Sequence, residues 1–183
     1  TETADRMGIE PFVWTGEGTE ASPYELTSAY HLLWFAKLVN NGNTTACARL
    51  EADIDMSKVC HAADENNGVA ELSWEPISKR SNPWHGSFDG NNKTISNLYI
   101  NTSAQCSGLF GSISGGYIKS SIKDIIFEKV NITSTADHSG VLVGEAGNTD
   151  ISGITVNSGS INGTTEVGGI VGFANETNIT NCV

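Results

Sequence analysis

Proline, cysteine and long apolar runs are all scarce in this sequence. Its 183 residues include 4 Pro and 4 Cys, and no apolar run approaches the roughly 20 residues that a transmembrane helix needs. We therefore expect no membrane insertion by this chain. With 20 Gly against 4 Pro, the composition favours many short strands and turns over long helices.

Basic residues are also scarce, and they are missing from the last part of the chain. Lys and Arg number 10 against 21 Asp and Glu, which gives a net charge of −11. No Lys or Arg follows Lys129. This charge repels phosphate backbones, so we expect no nucleic-acid partner, and a neutral or cationic ligand for the C-terminal part.

The cysteines and sequons favour an extracellular protein. Four cysteines allow three pairings, and Cys47 with Cys60 is the favoured disulfide because the two flank a predicted strand. Seven N-x-[ST] sequons occur, although turns rich in Asn and Thr would produce some by composition alone. If the host is eukaryotic, the expected glycosylation sites are Asn43, Asn101 and Asn131.

Two short motifs repeat in step over about half of the chain. Gly-bracketed apolar clusters occur at 108–111, 140–144 and 168–172. The second motif, Ile-x-x-Φ with Φ apolar or Cys, begins at four isoleucines that stand at nearly equal intervals: Ile95, Ile122, Ile151 and Ile179. Units of this length bury an apolar face only by stacking, so the pattern predicts a solenoid.

Stacking equivalent strands predicts three columns of buried side chains. The first contains the four leading isoleucines. The second contains Leu98, Ile125, Ile154 and Cys182, and the third contains Ile100, Phe127 and Val156. The bracketing glycines fit corners at which backbones approach closely.

The first 90 residues differ from the repeats. After a short strand at 24–26, Thr27 or Ser28 can N-cap a helix at about residues 28–40, which ends at Asn41-Gly42. Such an amphipathic helix would cover the terminal turn of a solenoid. Asp89-Gly90 is a turn signal. We therefore divide the chain into a cap region with the first rungs, 1–90, and β-helix repeats, 91–183, incomplete at the C-terminus.

In order and spacing, these residues resemble the GLUG-repeat β-helix proteins. The resemblance rests on Tyr24-Glu-Leu, the helix, Leu50-Glu-Ala-Asp-Ile-Asp-Met56, Trp74-Glu-Pro-Ile77, the segment 88–98 and the Gly-Leu-Phe-Gly cluster, and it covers about residues 14–183. It implies an all-β, right-handed parallel β-helix on a microbial cell surface. Each rung would contain about 28 residues, within the range of repeat lengths that solenoids use.

The same family is found upstream of metallopeptidase domains that cleave immunoglobulin A, but no peptidase activity carries over to this chain. The four histidines, His31, His61, His85 and His138, have no H-E-x-x-H spacing. No C-x-x-C pair supports a zinc site. The sequence predicts no catalytic residue, no metal site and no cofactor.

A carbohydrate-active β-helix enzyme remains an alternative. Such enzymes need clustered carboxylates, and Asp53 and Asp55 share a strand face, with Asp89 expected one rung away. Asp in such a strand more often ends it, and no basic residue beyond Lys129 can serve a lyase.

Aromatic residues offer a candidate ligand-binding site. Trp84 and His85 stand in a predicted loop and could stack on a sugar ring, whereas Trp74 is expected to pack beneath the cap. The preferred hypothesis is therefore a non-catalytic extracellular surface or adhesin module whose partner is a host glycan or surface protein.

A filament of β-helices stacked end to end is the other alternative. The fourth repeat begins at Ile179, so the preceding rung would present an uncovered edge. The expected self-association surface lies within 168–183 and contains Gly169, Ile170, Val171, Ile179, Cys182 and Val183.

Overall fold

The computed structural model describes residues 13–183 as a parallel β-helix with one α-helix near its start. The predicted fold class is confirmed. The helix is α1 (Ala29–Asn40), and a single 3₁₀ turn covers Met56–Lys58. The strands are β1 (Tyr24–Leu26), β2 (Ala48–Leu50), β3 (Ile54–Asp55), β4 (Ser87–Ser96), β5 (Tyr99–Thr102), β6 (Phe110–Ser114), β7 (Ser120–Glu128), β8 (Val130–Ser134), β9 (Asp137–Ser139), β10 (Val143–Gly147), β11 (Thr149–Val156), β12 (Gly159–Asn162), β13 (Thr165–Val167), β14 (Val171–Asn175) and β15 (Asn178–Thr180).

Parallel sheets form the faces of the solenoid. The largest has seven strands in the order β1-β2-β4-β7-β11-β15, with β3 paired to β4. The others are β6-β10-β14, β5-β8-β12 and β9-β13. Each sheet collects one strand from successive turns, because every turn of the chain returns to the same face before it advances along the axis.

Helix α1 covers the N-terminal end of the core. Ser28 is its N-cap and accepts a hydrogen bond from the His31 N–H at 3.2 Å. Its buried face places Phe35 against Phe88 of β4, with ring centroids 6.0 Å apart. The predicted cap helix is thus confirmed. Within residues 13–183, no helix is both long and apolar enough to span a membrane.

The C-terminal part of the core has the predicted register. Ile122 of β7 pairs with Ile151 of β11, which pairs with Ile179 of β15. Ile125 pairs with Ile154, and both are fully buried. Like residues therefore stack on like residues, which keeps the apolar column continuous from turn to turn.

The first turn is aligned differently from the prediction. Phe88, not Ile95, lies beside Ile122, and Ile95 pairs with Phe127. Ile100 pairs with Ile132, so its placement in the third column was wrong. Asp89-Gly90 does begin a local turn, which is a bulge inside β4: the Asn91 N–H donates to Asp89 Oδ1 at 2.8 Å, Asn91 and Asn92 have φ of 50° and 56°, and the register shifts between Asp89 and Lys93.

The corners depend on residues in the left-handed backbone region. Asp124, Gly153 and Asn181, the third residues of the Ile-x-x-Φ motif, have φ of 57°, 64° and 53°. A second corner has the same local pattern: Asn97 and Lys129 have φ of 60° and 52°. The motif at 95–98 belongs to this second corner, which explains why a match by local pattern misaligned it.

Two bracketing glycines make room for a third corner. A Cβ on Gly144 would lie 2.5 Å from Cys106 Cα, and one on Gly172 would lie 2.5 Å from the Ser139 nitrogen. Both contacts are with backbone atoms, which have little freedom to move away. Glycine is therefore needed at these two positions of the motif, because the corner of one turn packs closely against the strand of the next.

Candidate functional site

Trp84 is not a surface residue, which corrects the prediction that it stacks on a sugar. Its side chain is fully buried, its Nε1–H donates to the Ala46 carbonyl at 2.9 Å, and its ring packs 5.0 Å from that of Phe110. The backbone bridge between Trp84 and Ile113 draws this loop residue into the solenoid wall. Trp74 is also buried, as expected.

His85 is exposed, and it lines a surface cavity of about 490 Å³. The opposite wall comes from the loop between β6 and β7, where Tyr117 is fully exposed and Ile118 is 84% exposed. The backbone of His85 is fixed in place, because its N–H donates to the Thr44 carbonyl at 2.9 Å. The exposed aromatic of this surface is therefore Tyr117.

The favoured disulfide between Cys47 and Cys60 is not formed, and all four cysteines are free thiols. Cys47 Sγ accepts the Ser87 N–H at 3.3 Å, and Cys60 Sγ accepts the Tyr99 N–H at 3.3 Å. The whole of β4 lies between those two contacts. Proximity in sequence was misleading because the solenoid carries the two cysteines to different ends of a long strand.

The three favoured sequon asparagines are all exposed. Asn43 follows α1, and Asn101 and Asn131 lie on strands β5 and β8. The Asn101 amide donates to Glu71 at 2.8 Å. The asparagines are accessible, and their glycosylation stays a prediction.

The residues predicted to form a self-association edge lie in the last turn. Ile179 is 44% exposed and Val183 is 85% exposed, whereas Ile170, Val171 and Cys182 pack partly against the core. Gly169 has open space around its Cα. Their role in self-association stays a prediction.

Each of the three candidate carboxylates has a partner of its own. Asp53 accepts the Thr94 N–H at 2.8 Å, and Asp55 accepts both the Ser57 N–H and the Asn97 amide. These hydrogen bonds hold the pKa of Asp55 below its ordinary value, with the Asn97 bond as the main cause. Asp89 is bound to Lys123 at 3.2 Å. Each carboxylate therefore fixes a different part of the backbone or surface.

The structure instead assembles a polar cluster at the third corner. The bridges Ser107↔Ser139 and Ser139↔Val167 place Cys106, His138 and Glu166 at the equivalent corner of three successive turns. All three are left-handed, with φ of 63°, 62° and 52°. The neighbouring column in sheet β6-β10-β14 is Ser112, Glu145 and Phe173. Cys106, His138, Glu145 and Glu166 define what we call the corner cluster.

The members of the corner cluster contact one another directly. Cys106 Sγ lies 3.5 Å from Glu145 Oε2 and 3.9 Å from His138 Nδ1, and Nδ1 and Oε2 are also 3.9 Å apart. The other ring nitrogen, Nε2, contacts the Glu166 carboxylate. Among residues 13–183, Cys106, His138 and Glu145 are the group of His, Cys, Asp or Glu whose ligand atoms converge closely enough for a metal ion.

Arg80 closes the cluster from the loop before β4. Its Nε–H donates to Glu145 Oε2 at 2.7 Å, and its Nη2–H donates to His138 Nδ1 at 2.8 Å. Burial raises the pKa of the Cys106 thiol to about 11, with help from the nearby Glu145 charge. Burial acts to raise the pKa of Glu145, but the Arg80 hydrogen bond and charge bring it below its ordinary value.

Two cavities adjoin the cluster. One of about 730 Å³ lies between segments 73–81 and 101–107, and both Arg80 and Cys106 line it. The other, of about 290 Å³, is lined by Arg80, Glu145 and Phe173. Solvent and small ligands can therefore approach the cluster from two sides.

The corner cluster was not predicted from the sequence, although a signal was present. Three members of the corner cluster each come two residues before the first glycine of a bracketed motif: Cys106-Ser-Gly, His138-Ser-Gly and Glu166-Val-Gly. Ligand motifs such as C-x-x-C have local spacings. In a solenoid, the spacing that brings ligands together is the length of one turn.

Comparison with known proteins identifies one relative by sequence. No protein-family model matches the chain. The chain is 34% identical over 166 residues, 87% of its length, to Halomucin from Haloquadratum walsbyi. It spans about 2% of the length of that protein.

The fold is also found in a solved structure. A crystal structure from Bacteroides ovatus, whose description provisionally assigns it to the immunoglobulin A1 proteases, aligns with 91% of this chain and 69% of its own length. The TM-score is 0.51 and the identity is 15%. At this identity the likeness extends to the fold alone.

Proposed function

We propose that this chain is a non-catalytic binding module of an extracellular or cell-surface protein, and that it belongs to the GLUG-repeat β-helix proteins. The relative named as a mucin supports a location outside the cell. The fold supports a lateral binding surface, because parallel strands and their corners present a regular face to solvent.

The observation that carries the proposal is the cavity between His85 and the 115–119 loop. Tyr117 and Ile118 expose apolar surface at the rim, and an exposed aromatic ring provides a platform for the apolar face of a sugar. His85 and Thr45 supply polar groups on the same walls. Lys119 is paired with Asp150 at 2.7 Å, and Glu20 adds a carboxylate to the wall, so the cavity disfavours an acidic oligosaccharide and suits a neutral one.

Binding to a purified mucin and to a panel of neutral and acidic oligosaccharides tests the proposal. We expect the wild-type chain to bind a neutral glycan, and Tyr117→Ala and His85→Ala to weaken binding at least tenfold. Gln105→Ala, in the separate 730 Å³ cavity, is the matched control. Loss of binding in Gln105→Ala alone would place the ligand in the other cavity and contradict the assignment to Tyr117. Binding only to deglycosylated protein would make the partner a protein.

The two alternatives have distinct readouts. Release of shortened oligosaccharides from the same panel would indicate a carbohydrate-active enzyme. A sedimentation coefficient that increases with protein concentration in the wild type, and does not increase in Ile179→Lys, would indicate filament assembly through the last turn. A concentration-independent monomer that binds glycan without cleaving it is the result expected for the binding module.

A further inference from the structure

We propose that the corner cluster binds a single Zn²⁺-like cation through Cys106 Sγ, His138 Nδ1 and Glu145 Oε2. The three ligand atoms lie 3.5–3.9 Å apart. In a tetrahedral site with metal–ligand bonds of about 2.0–2.3 Å, such atoms are about 3.4–3.6 Å apart. The group therefore needs a contraction of a few tenths of an ångström, within the reach of side-chain rotation.

The second nitrogen of His138 supports this assignment. Metal-bound histidines usually donate their other N–H to a carboxylate, which fixes the ring orientation and makes the ligand more basic. Here Nε2 contacts the Glu166 carboxylate, and the ring stacks on Phe173 with centroids 5.0 Å apart. Nδ1 is thereby directed at the Cys106 thiol and the Glu145 carboxylate.

The type of cation follows from the ligands. Zn²⁺ binds thiolate, imidazole and carboxylate ligands, whereas Ca²⁺ and Mg²⁺ take oxygen ligands. Three protein ligands leave one position for water. The ligands come from two successive turns, with Glu166 from a third, so the ion would tie neighbouring rungs together.

Arg80 places a positive charge at the cluster, where it would compete with a metal ion for two of the ligand atoms. The guanidinium bonds to two of the three ligands, Glu145 and His138, and its side chain is 45% exposed. It can therefore swing into solvent when the ion enters. As the Sγ–metal bond forms, the thiol proton of Cys106 leaves to solvent, so binding releases a proton and is opposed by low pH.

Calorimetric titration of the full chain with ZnCl₂, and absorption spectra with CoCl₂, test the proposal. We expect one equivalent to bind, with release of a proton and with the thiolate-to-cobalt charge-transfer band. Cys106→Ser should remove that band and weaken Zn²⁺ binding at least tenfold. Arg80→Gln should strengthen binding, because it removes the competing cation.

The control and a second variant keep the result independent of folding. Cys182→Ser removes a thiol of the last turn and should leave binding unchanged. Glu166→Gln affects an exposed side chain and should weaken binding about tenfold through His138. Equal affinity in wild type and Cys106→Ser, or no binding in both wild type and Arg80→Gln, would overturn the proposal.

Discussion

The two halves of this β-helix achieve burial in different ways. From β7 onward, aliphatic residues stack in register, and consecutive turns are of nearly equal length, as the pairing of Ile122, Ile151 and Ile179 shows. Before β7, the turn from Phe88 to Ile122 is longer and the core contains large aromatics. The difference shows that the repeat sets the fold, whereas the irregular first turns close its end and carry the loops that shape the surface.

The aliphatic column of the repeats offers the largest effect. Ile154 is fully buried between neighbouring turns, so Ile154→Asp places an unpaired charge in the core and should cost about 4 kcal/mol or more, enough to abolish cooperative folding. Circular dichroism during thermal unfolding measures this. Ile179→Asp, in the last turn and at a residue that is 44% exposed, should cost about 1 kcal/mol. Equal losses would mean that the turns do not differ in burial.

The aromatic core of the first turns should be nearly as sensitive. Trp84→Ala should cost about 3–5 kcal/mol, because the cavity is lined by rigid strands and the Ala46 carbonyl loses its donor. Phe173→Ala, at a ring that is 37% exposed in the last turn, should cost about 1 kcal/mol. Denaturant unfolding of both variants measures the contrast between the regions. If Trp84→Ala left the free energy of unfolding nearly unchanged, the irregular half would not be part of the same cooperative unit.

The corner geometry of the repeats predicts a steric effect. Gly144→Ala should cost about 1–3 kcal/mol, because the new Cβ would meet the backbone of Cys106 at 2.5 Å. Gly147→Ala is a matched control on the same strand, where the nearest atom would be 3.8 Å away. It should change stability by less than about 0.5 kcal/mol. Chemical denaturation of the pair gives the difference directly, and a reversed order would reject the close approach.

The smallest effect concerns pH and the first turns. Burial raises the pKa of the Cys60 thiol from 9.0 to about 11. A raised pKa in the folded state gives stability that is complete below pH 9 and is lost as the pH rises toward 11. We expect a loss of about 1 kcal/mol between pH 9 and 10 that Cys60→Ala reduces. Thermal scans of wild type and Cys60→Ala across this pH range measure the difference, and an unchanged pH dependence in Cys60→Ala would contradict the prediction.

The regular half could be predicted well from the sequence for a physical reason. Helix α1 has its own capping signals, and Ile125 and Ile154 repeat at the period of the solenoid, so local chemistry and long-range stacking agree. The prediction of the first column was wrong at Ile95 because two different corners share one local sequence motif. Only the bulge between Asp89 and Lys93, which depends on how β4 meets its neighbours, distinguishes them.

The candidate sites were less predictable because they depend on distances across turns. The sequence predicts a loop at Trp84, which stands between Pro83 and His85. In the structure its backbone bridge to Ile113 places it in the wall of the solenoid, where its side chain is buried. Cys106 and His138 are 32 residues apart in sequence, and their ligand atoms are 3.9 Å apart in space. No local pattern encodes such a contact. It follows only once the register of the turns is known.

The left-handed corner occupied by Cys106, His138 and Glu166 has an evolutionary consequence. One backbone geometry there accepts a thiol, an imidazole and a carboxylate in three successive turns. Parallel strands repeat at about 4.8 Å, so side chains at this corner stand at a fixed spacing along the axis. A point mutation at the corner changes the chemistry displayed at one step without disturbing the hydrogen-bonded ladder beside it. The solenoid can thus acquire or lose a reactive or ligand-binding group at one turn through a change of a single codon.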